Sequence, residues 1–410
     1  MSLRRAILFS SIGLALLGTC TSADAKEKAP KTYWEDLTDG TIDLYESDTN
    51  RVLQRLRLAG RAHYQAARVE GNDASEREFT HEFDEYRRFR VEAQLDLLHF
   101  ASAEIGADLV DDNRFRGRAD HTGFGYQKLS NAWISVDLES ALEWNWVDDF
   151  DVKIGRQKVG IGYERDQSST DILTVERSAL ADYLGGENER PTGVLVSAEK
   201  GDFELDLGYF STTPSDGLAS FEGDGFLYSR LTWKPTKRWT VATDWVQADN
   251  NGNGGDDAVL GYASAGTLSV AYERDRFGAA LYGALGDNGG PRHGNRRARR
   301  QGDFSGYVVM PWLWLKQDLL QLVARGQWQR STESEGIRLG SRYLRAVDDI
   351  PGFNIENGYG DRHESYYVGL NLHPWKGRTK IMGGIQTDRL RTVRSTVDAT
   401  TQWVAVRTAF

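Results

Sequence analysis

Cysteine is all but missing from this chain. Cys20 is the only one in 410 residues, so no intramolecular disulfide can form and no cysteine-based metal cluster is on offer. Long apolar runs are missing as well: beyond residue 25 nothing approaches the roughly eighteen consecutive apolar side chains of a membrane-spanning helix. Lysine is scarce, and arginine outnumbers it about threefold. The formal charge is −10, which argues against a nonspecific grip on nucleic acid. Aromatic residues are not missing. At 11%, beside 43 glycines, they exclude a disordered chain, which is aromatic-poor.

The first 25 residues read as an export signal. Arg4 and Arg5 form a positive start, Ala6 to Leu17 a short apolar stretch, and Ala23-Asp24-Ala25 a small-x-small cleavage pattern. Cys20 offers lipidation as an alternative, although Gly18 and Thr19 make a poor approach to it. A cut before Lys26 leaves 48 basic and 59 acidic residues, a net −11, and no cysteine.

Period-two alternation then recurs to the end of the chain. Leu56, Leu58, Gly60, Ala62 and Tyr64 share one face, with Arg55, Arg57, Arg61, His63 and Gln65 on the other. Phe89, Val91, Ala93, Leu95 and Leu97 likewise oppose Arg88, Arg90, Glu92, Gln94 and Asp96. Each segment thus has an oily and a polar side, the mark of a β-strand between two media. Further strands are expected near 102–111, 129–138, 149–158, 192–200, 203–210, 226–234, 238–247, 265–273, 276–286, 303–315, 318–331, 363–374, 378–389 and 400–410. Sixteen is an even number, as single-chain bacterial barrels have.

The connections carry separate information. Those at 200–202, 234–237, 273–275, 316–318 and 374–377 are tight, whereas 68–85, 111–128, 159–191, 248–264, 287–302 and 332–362 are long and polar. Short periplasmic turns alternating with long external loops belong to an outer-membrane barrel; a soluble β-sandwich has no reason to gather its long loops at one end. The chain ends in Phe410 on a strand of the same alternation. Trp233, Trp239, Trp245, Trp328, Tyr366 and Trp403 fall near strand ends, where interfacial girdles sit, although Trp403 has the inward parity. The expected fold is all-β, a transmembrane antiparallel barrel of about sixteen strands over 53–410, after a signal peptide at 1–25 and a short periplasmic segment at 26–52.

By parity the lumen should receive Arg55, Arg57, Arg61, Arg88, Arg90, Lys153, Arg230, Arg325, Lys380 and Arg407. Basic rings favour anions in a pore, and guanidinium offers planar paired donors to oxyanions. Glu92, Asp96, Asp108, Asp137, Asp206 and Asp244 share that parity, so pairing across strands is the competing account. The loop at 159–191 carries Glu164, Arg165, Ser168, Ser169, Glu176 and Arg177. Folded inward it would narrow the lumen; left outside it would be a solvated loop.

Several stretches in and around this loop have a familiar order. Gly155-Arg156-Gln157-Lys158 followed by Glu164 and Ser168-Ser169-Thr170-Asp171-Ile172-Leu173-Thr174-Val175-Glu176-Arg177-Ser178, with Thr192-Gly193-Val194 and Gly208-Tyr209-Phe210-Ser211, resembles the phosphate-selective porin O and P family. Leu44-Tyr45-Glu46 through Gly60-Arg61 and Gly369-Leu370-Asn371-Leu372-His373-Pro374 are similar to the family's ends. The resemblance implies a sixteen-stranded homotrimeric barrel with an inward third loop. Few lysines and many lumen-parity carboxylates depart from the phosphate-specific members.

Other clusters carry less. Asp249, Asn251, Asn253 and Gly254 open like a calcium loop, but position twelve is Leu260 where a bidentate Glu belongs. Arg292, His293, Arg296, Arg297, Arg299 and Arg300 suit anionic lipopolysaccharide or the attraction of anions to a pore mouth. None of the seven histidines sits in a nucleophile-elbow or zinc-helix motif, so an outer-membrane hydrolase is the weaker alternative and an oligosaccharide export or uptake barrel the nearer one. The expectation is passive diffusion of small hydrophilic solutes or anions through the outer membrane, with no catalysis, cofactor or nucleic acid, and with lipid and lipopolysaccharide as surroundings.

Overall fold

The computed structural model describes residues 42–110, 123–144, 146–186, 190–220, 225–248, 259–289, 301–375 and 378–410. The leader at 1–25, the stretch 26–41, the acidic loop at 249–257 and the arginines from 292 to 300 therefore lie outside the described residues.

Sixteen antiparallel strands close into a barrel. In chain order they are β1 (Leu53–Asn72), β2 (Glu78–Leu97), β3 (Ala101–Asp108), β4 (Lys128–Asp137), β5 (Asp149–Arg156), β6 (Thr192–Lys200), β7 (Phe203–Ser211) and β8 (Gly225–Thr236). The second half is β9 (Trp239–Ala248), β10 (Ser264–Arg274), β11 (Phe277–Asp287), β12 (Asp303–Lys316), β13 (Leu320–Ser331), β14 (Arg362–Trp375), β15 (Thr379–Arg391) and β16 (Thr396–Ala409). Each strand pairs with its sequence neighbours, and β16 pairs with β1 from Asp398↔Asn72 to Ala409↔Arg61. Below that seam a short strand, Ile42–Glu46, pairs with β1 from Ile42↔Leu58 to Glu46↔Arg55. Among the described residues the closed ring leaves no strand edge unpaired at bilayer depth, as hydrocarbon requires.

Burial follows parity in the sense opposite to a soluble protein. On β8, Leu231 is 44% exposed while its neighbour Arg230 is 6% exposed. Leucine faces outward, where only lipid can cover it, and arginine faces the lumen. Trp403 points inward, as its parity required, and lies near Tyr367.

Two expectations need correction. The stretch 68–85 is not a long loop: β1 and β2 are 20 residues each and meet in a turn at 73–77. The cause is a β-bulge. His63 pairs with Arg88 but Tyr64 pairs with Tyr86, so Arg87 is the extra residue. Above it the inward set becomes Glu85, Phe83 and Phe79, a phase change that makes one continuous strand read as the end of alternation. The second correction concerns 332–362. This segment is long, but it folds back and buries Ile337, Leu339, Tyr343, Leu344, Val347 and Ile355.

The expected orientation is testable with single thiols in a Cys20→Ser background. An impermeant thiol reagent on intact cells should label Ser334→Cys in the seventh loop and spare Asp275→Cys in the turn between β10 and β11. The reverse pattern would turn the barrel over.

Candidate channel and its constriction

A loop pushed into a barrel carries backbone groups that no ladder satisfies, and each needs a partner. The third loop, 157–191, meets this requirement with the arginines of the wall. Arg407 donates to the carbonyls of Ser169, at 3.1 Å, and of Val175. Lys380 reaches the Ile172 carbonyl at 3.1 Å, and Asn371 the Leu173 carbonyl at 2.8 Å. Arg325 donates to Glu176 O at 2.9 Å and Thr174 Oγ1 at 2.8 Å. Arg230 takes Gly160 O at 2.8 Å and pairs with Asp166 and Asp244 at 2.9 and 3.0 Å. A guanidinium has five donors in a rigid fork, so one side chain can bind several loop atoms at once.

The loop also has its own architecture. A short helix, α1 (Tyr163–Asp166), follows Gly162 at φ 77°, and Ser178 caps α2 (Ala179–Gly185) by accepting from the Ala181 N–H. Ile161, Ile172, Val175, Leu180 and Leu184 form its buried apolar side. At the centre Glu164 pairs with Arg325 at 3.1 Å, accepts from Ser178 N at 3.0 Å and binds the Tyr282 hydroxyl. Burial alone would raise the Glu164 carboxyl, but Arg325 and these hydrogen bonds hold it below its usual range. Burial acts on Glu176 in the same direction and is overcome by Arg87, Arg342 and Arg88.

The remaining expected residues fall into groups. Arg55 and Arg57 lie at the lower end of β1, both on Asp43 of the short N-terminal strand. Arg90 is paired with Asp108, and Lys153 sits 4.6 Å above the Trp133 ring. Arg61, 19% exposed, pairs with Glu92 at 2.8 Å and approaches the Ser168 and Ser169 hydroxyls at 3.4 Å. Arg165 and Arg177 do not face the open lumen. Arg165 is buried against Ala181 O and Asp182, and Arg177 against the carbonyls of Glu164 and Gln167. Both tie the loop to itself, so replacing them reports on the loop's integrity more than on lumen charge.

One row was not read from the sequence as a unit. Lys380↔Arg407, Arg407↔His63 and His63↔Arg88 are direct cross-strand neighbours, so three cations and an imidazole cross four adjacent strands at one level. Like charges side by side are unfavourable unless something negative is near. Lys380 and Arg407 meet loop carbonyls there, and the loop carboxylates Asp171 and Glu176 lie close enough to act on Lys380 and on Arg407 and Arg88. Arg87 was missed because the bulge places it, and Tyr343 of the seventh loop because no strand period runs through it.

The loop's wall contacts reach β1, β2, β8, β9 and β11 to β16. Apart from Arg190, which meets Asn131 on β4, they leave the inward face of β3 to β7 across from the loop, with Glu104, Asn131, Lys153 and Asp206 on it. Barrels of sixteen strands leave an aqueous channel, and this is the face left to line it. Among the described residues no group of three or more His, Cys, Asp or Glu could hold a metal ion.

Residues 56–256 match the family model described as phosphate-selective porin O and P. Among solved structures, the outer membrane channel DcaP of Acinetobacter baumannii is similar with a TM-score of 0.55 at 11% identity, over 89% of this chain and 99% of that one. An anion-selective porin from Comamonas acidovorans gives 0.53 at 13% identity, over 87% and 99%. OprB of Pseudomonas putida gives 0.52 at 12%, over 92% and 96%. No curated protein matches in sequence.

Proposed function

Because residues 56–256 match the model of the phosphate-selective porin O and P family and the chain closes into a sixteen-stranded barrel, we propose that it is an outer-membrane porin that passes small hydrophilic anions, phosphate among them, down their gradients. The observation that carries this reading is the row Lys380, Arg407, His63 and Arg88 beside Arg61 at the level of the third loop. Fixed charge acts strongly where the walls are low in dielectric and the passage is narrow, and weakly in a wide vestibule. At the constriction four cations, Lys380, Arg407, Arg88 and Arg61, stand against three carboxylates beside them, Asp171, Glu176 and Glu92, and charge there weighs more than charge in the wide mouths.

Arg61 is the member of this group that keeps solvent contact, so it gives the test. Arg61→Glu should move the reversal potential in a salt gradient toward cations, with the shift shrinking as salt rises. A wild-type channel that already prefers potassium to chloride would discard the anion reading and leave the barrel standing.

The same reading extends to processing and assembly. The signal at 1–25 is removed after Ala25, and the mature barrel is a homotrimer surrounded by lipid and lipopolysaccharide. Support for the trimer comes from β3 and β5, only eight residues each, below the roughly nine to eleven that a tilted spanning strand uses. Their outward side chains include Ile105 and Ile154, with Ile134 between them on β4. A low apolar wall is better covered by another copy than by lipid.

A further inference from the structure

The seventh loop, 332–361, covers a wall that does not suit it. Its buried side is apolar, with Ile337, Leu339, Tyr343, Leu344, Val347 and Ile355. The wall where it and the third loop pack carries Gln329 on β13 and His363 and Ser365 on β14, all buried. Gln329 Nε2 and Oε1, His363 Nδ1 and Ser365 Oγ have no hydrogen-bond partner among the described residues. Asp388 holds the other His363 nitrogen at 2.9 Å. Leu390, Val397 and Ala399, on the same inward face, join the loop in one apolar cluster. An amide, an imidazole and a hydroxyl are what a water-lined pore displays. Beneath an apolar cover, a donor or acceptor loses its hydration and gains no bond.

The loop is fastened at points that can release. Its tip reaches the top of the first hairpin, where Asn354 N donates to Asp73 Oδ2 at 3.1 Å and Ala74 N to Asn354 O at 2.8 Å. Phe353 packs edge-on to Phe79 at 5.9 Å beneath Arg77. Further in, Tyr343 binds Glu85 at 2.7 Å and Gln65 at 2.8 Å, and Arg342 pairs with Glu85 at 3.0 Å. Gly352 and Gly358 take φ of 100° and 73°, backbone states where glycine bends freely.

We propose that the seventh loop is a hinged lid over a second hydrophilic half of the lumen, and that its departure turns the narrow passage along β3 to β7 into a wider one. The inference rests on the channel reading above. Opening breaks the apolar contacts and the tip anchor, while water returns to Gln329, His363 and Ser365. These two changes oppose each other, so closed and open forms lie closer in free energy than the apolar burial alone implies.

The test uses the full mature chain, which starts after Ala25 and has no cysteine of its own, folded into planar bilayers. Ser365→Cys is exposed from the external side to a charged methanethiosulfonate, with Asn131→Cys in the resident passage as the accessible reference. Phe353→Ala should speed modification of Ser365→Cys at least tenfold, leave Asn131→Cys unchanged, and add a second, larger conductance level. Should Phe353→Ala fail to fold, Asp73→Asn loosens the same anchor and should act in the same direction. A Ser365→Cys thiol that stays unmodified with the anchor loosened, while Asn131→Cys reacts, overturns the lid and leaves a fixed plug over bound water. Equal acceleration at both thiols overturns it too, since it reports general loosening. Wild-type protein that forms no channel would instead overturn the channel reading, a result distinct from both.

Discussion

A channel carrying Arg325→Met is expected to conduct several-fold more than the wild type and to lose much of its ion preference. Arg325 and Glu164 are 2% and 1% exposed, so the pair is buried at the root of the third loop. Removing one partner of a buried pair costs roughly 3–5 kcal/mol, because the other charge is left without a counter-ion. The guanidinium also holds Thr174 Oγ1 and Glu176 O, so the stretch from Glu164 to Arg177 loses its central support. Arg230 and Arg407 still hold the two flanks. The loop should therefore slacken at its middle while the barrel stays closed. The double variant Glu164→Gln, Arg325→Met removes the stranded charge and should fall between the two in conductance. Single-channel recordings with reversal potentials read both quantities. Wild-type conductance and selectivity in Arg325→Met would show that the third loop does not set the aperture.

The second large effect is expected on the opposite face of the wall. Leu281 lies next to the middle of β11, paired to Val270 and Val309, and is 52% exposed toward lipid. Leu281→Arg places a guanidinium near the bilayer midplane at a cost of about 2–4 kcal/mol. Gln94→Arg points into the lumen beside Glu104, where water and a carboxylate both receive it, and should be far milder. Urea titrations of folding into lipid vesicles measure the two together. Equal costs would reverse the assignment of inside and outside.

Both predictions depend on parity, and parity was legible in the sequence wherever one rule held along a strand. Arg55 against Leu56 and Arg90 against Val91 are lumen against lipid, and the alternation states it directly. The rule failed where geometry departs from two residues per repeat. At Arg87 the bulge shifts the phase by one, so Glu85 and Phe83 read as the wrong face and the upper hairpin read as a loop. The third loop was legible by its length and its order of residues, but not in the direction of its charges. Arg165 and Arg177 resemble free lumen cations in sequence and prove to be ties between one turn of the loop and the next. The seventh loop was less legible still. Tyr343, Leu344 and Val347 share a helical spacing within the helical stretch 342–349, but two turns are too short to stand out in a long polar segment, and Ile355 lies outside them. Nor did the sequence show why arginine so outnumbers lysine. A plug inside a barrel needs many fixed donors aimed at carbonyls, and a single Lys ammonium supplies fewer of them in less rigid positions.

The first strand of the closed ring is completed only by the sixteenth. β1 pairs with the short strand from Ile42 along its lower part and with β16 along its upper part, and the backbone of Phe410 exchanges hydrogen bonds with Gly60 where the two partners adjoin. Contacts such as Arg61↔Ala409 join residues separated by nearly the whole barrel sequence, and contacts of that span are the slowest to form. Until β16 arrives, β1 presents an open edge over its upper part, from Arg61 to Asn72, a template for pairing with the wrong chain. Closure of the ring is thus timed by β16, and the partly inserted chain is most prone to aggregate just before the ring shuts.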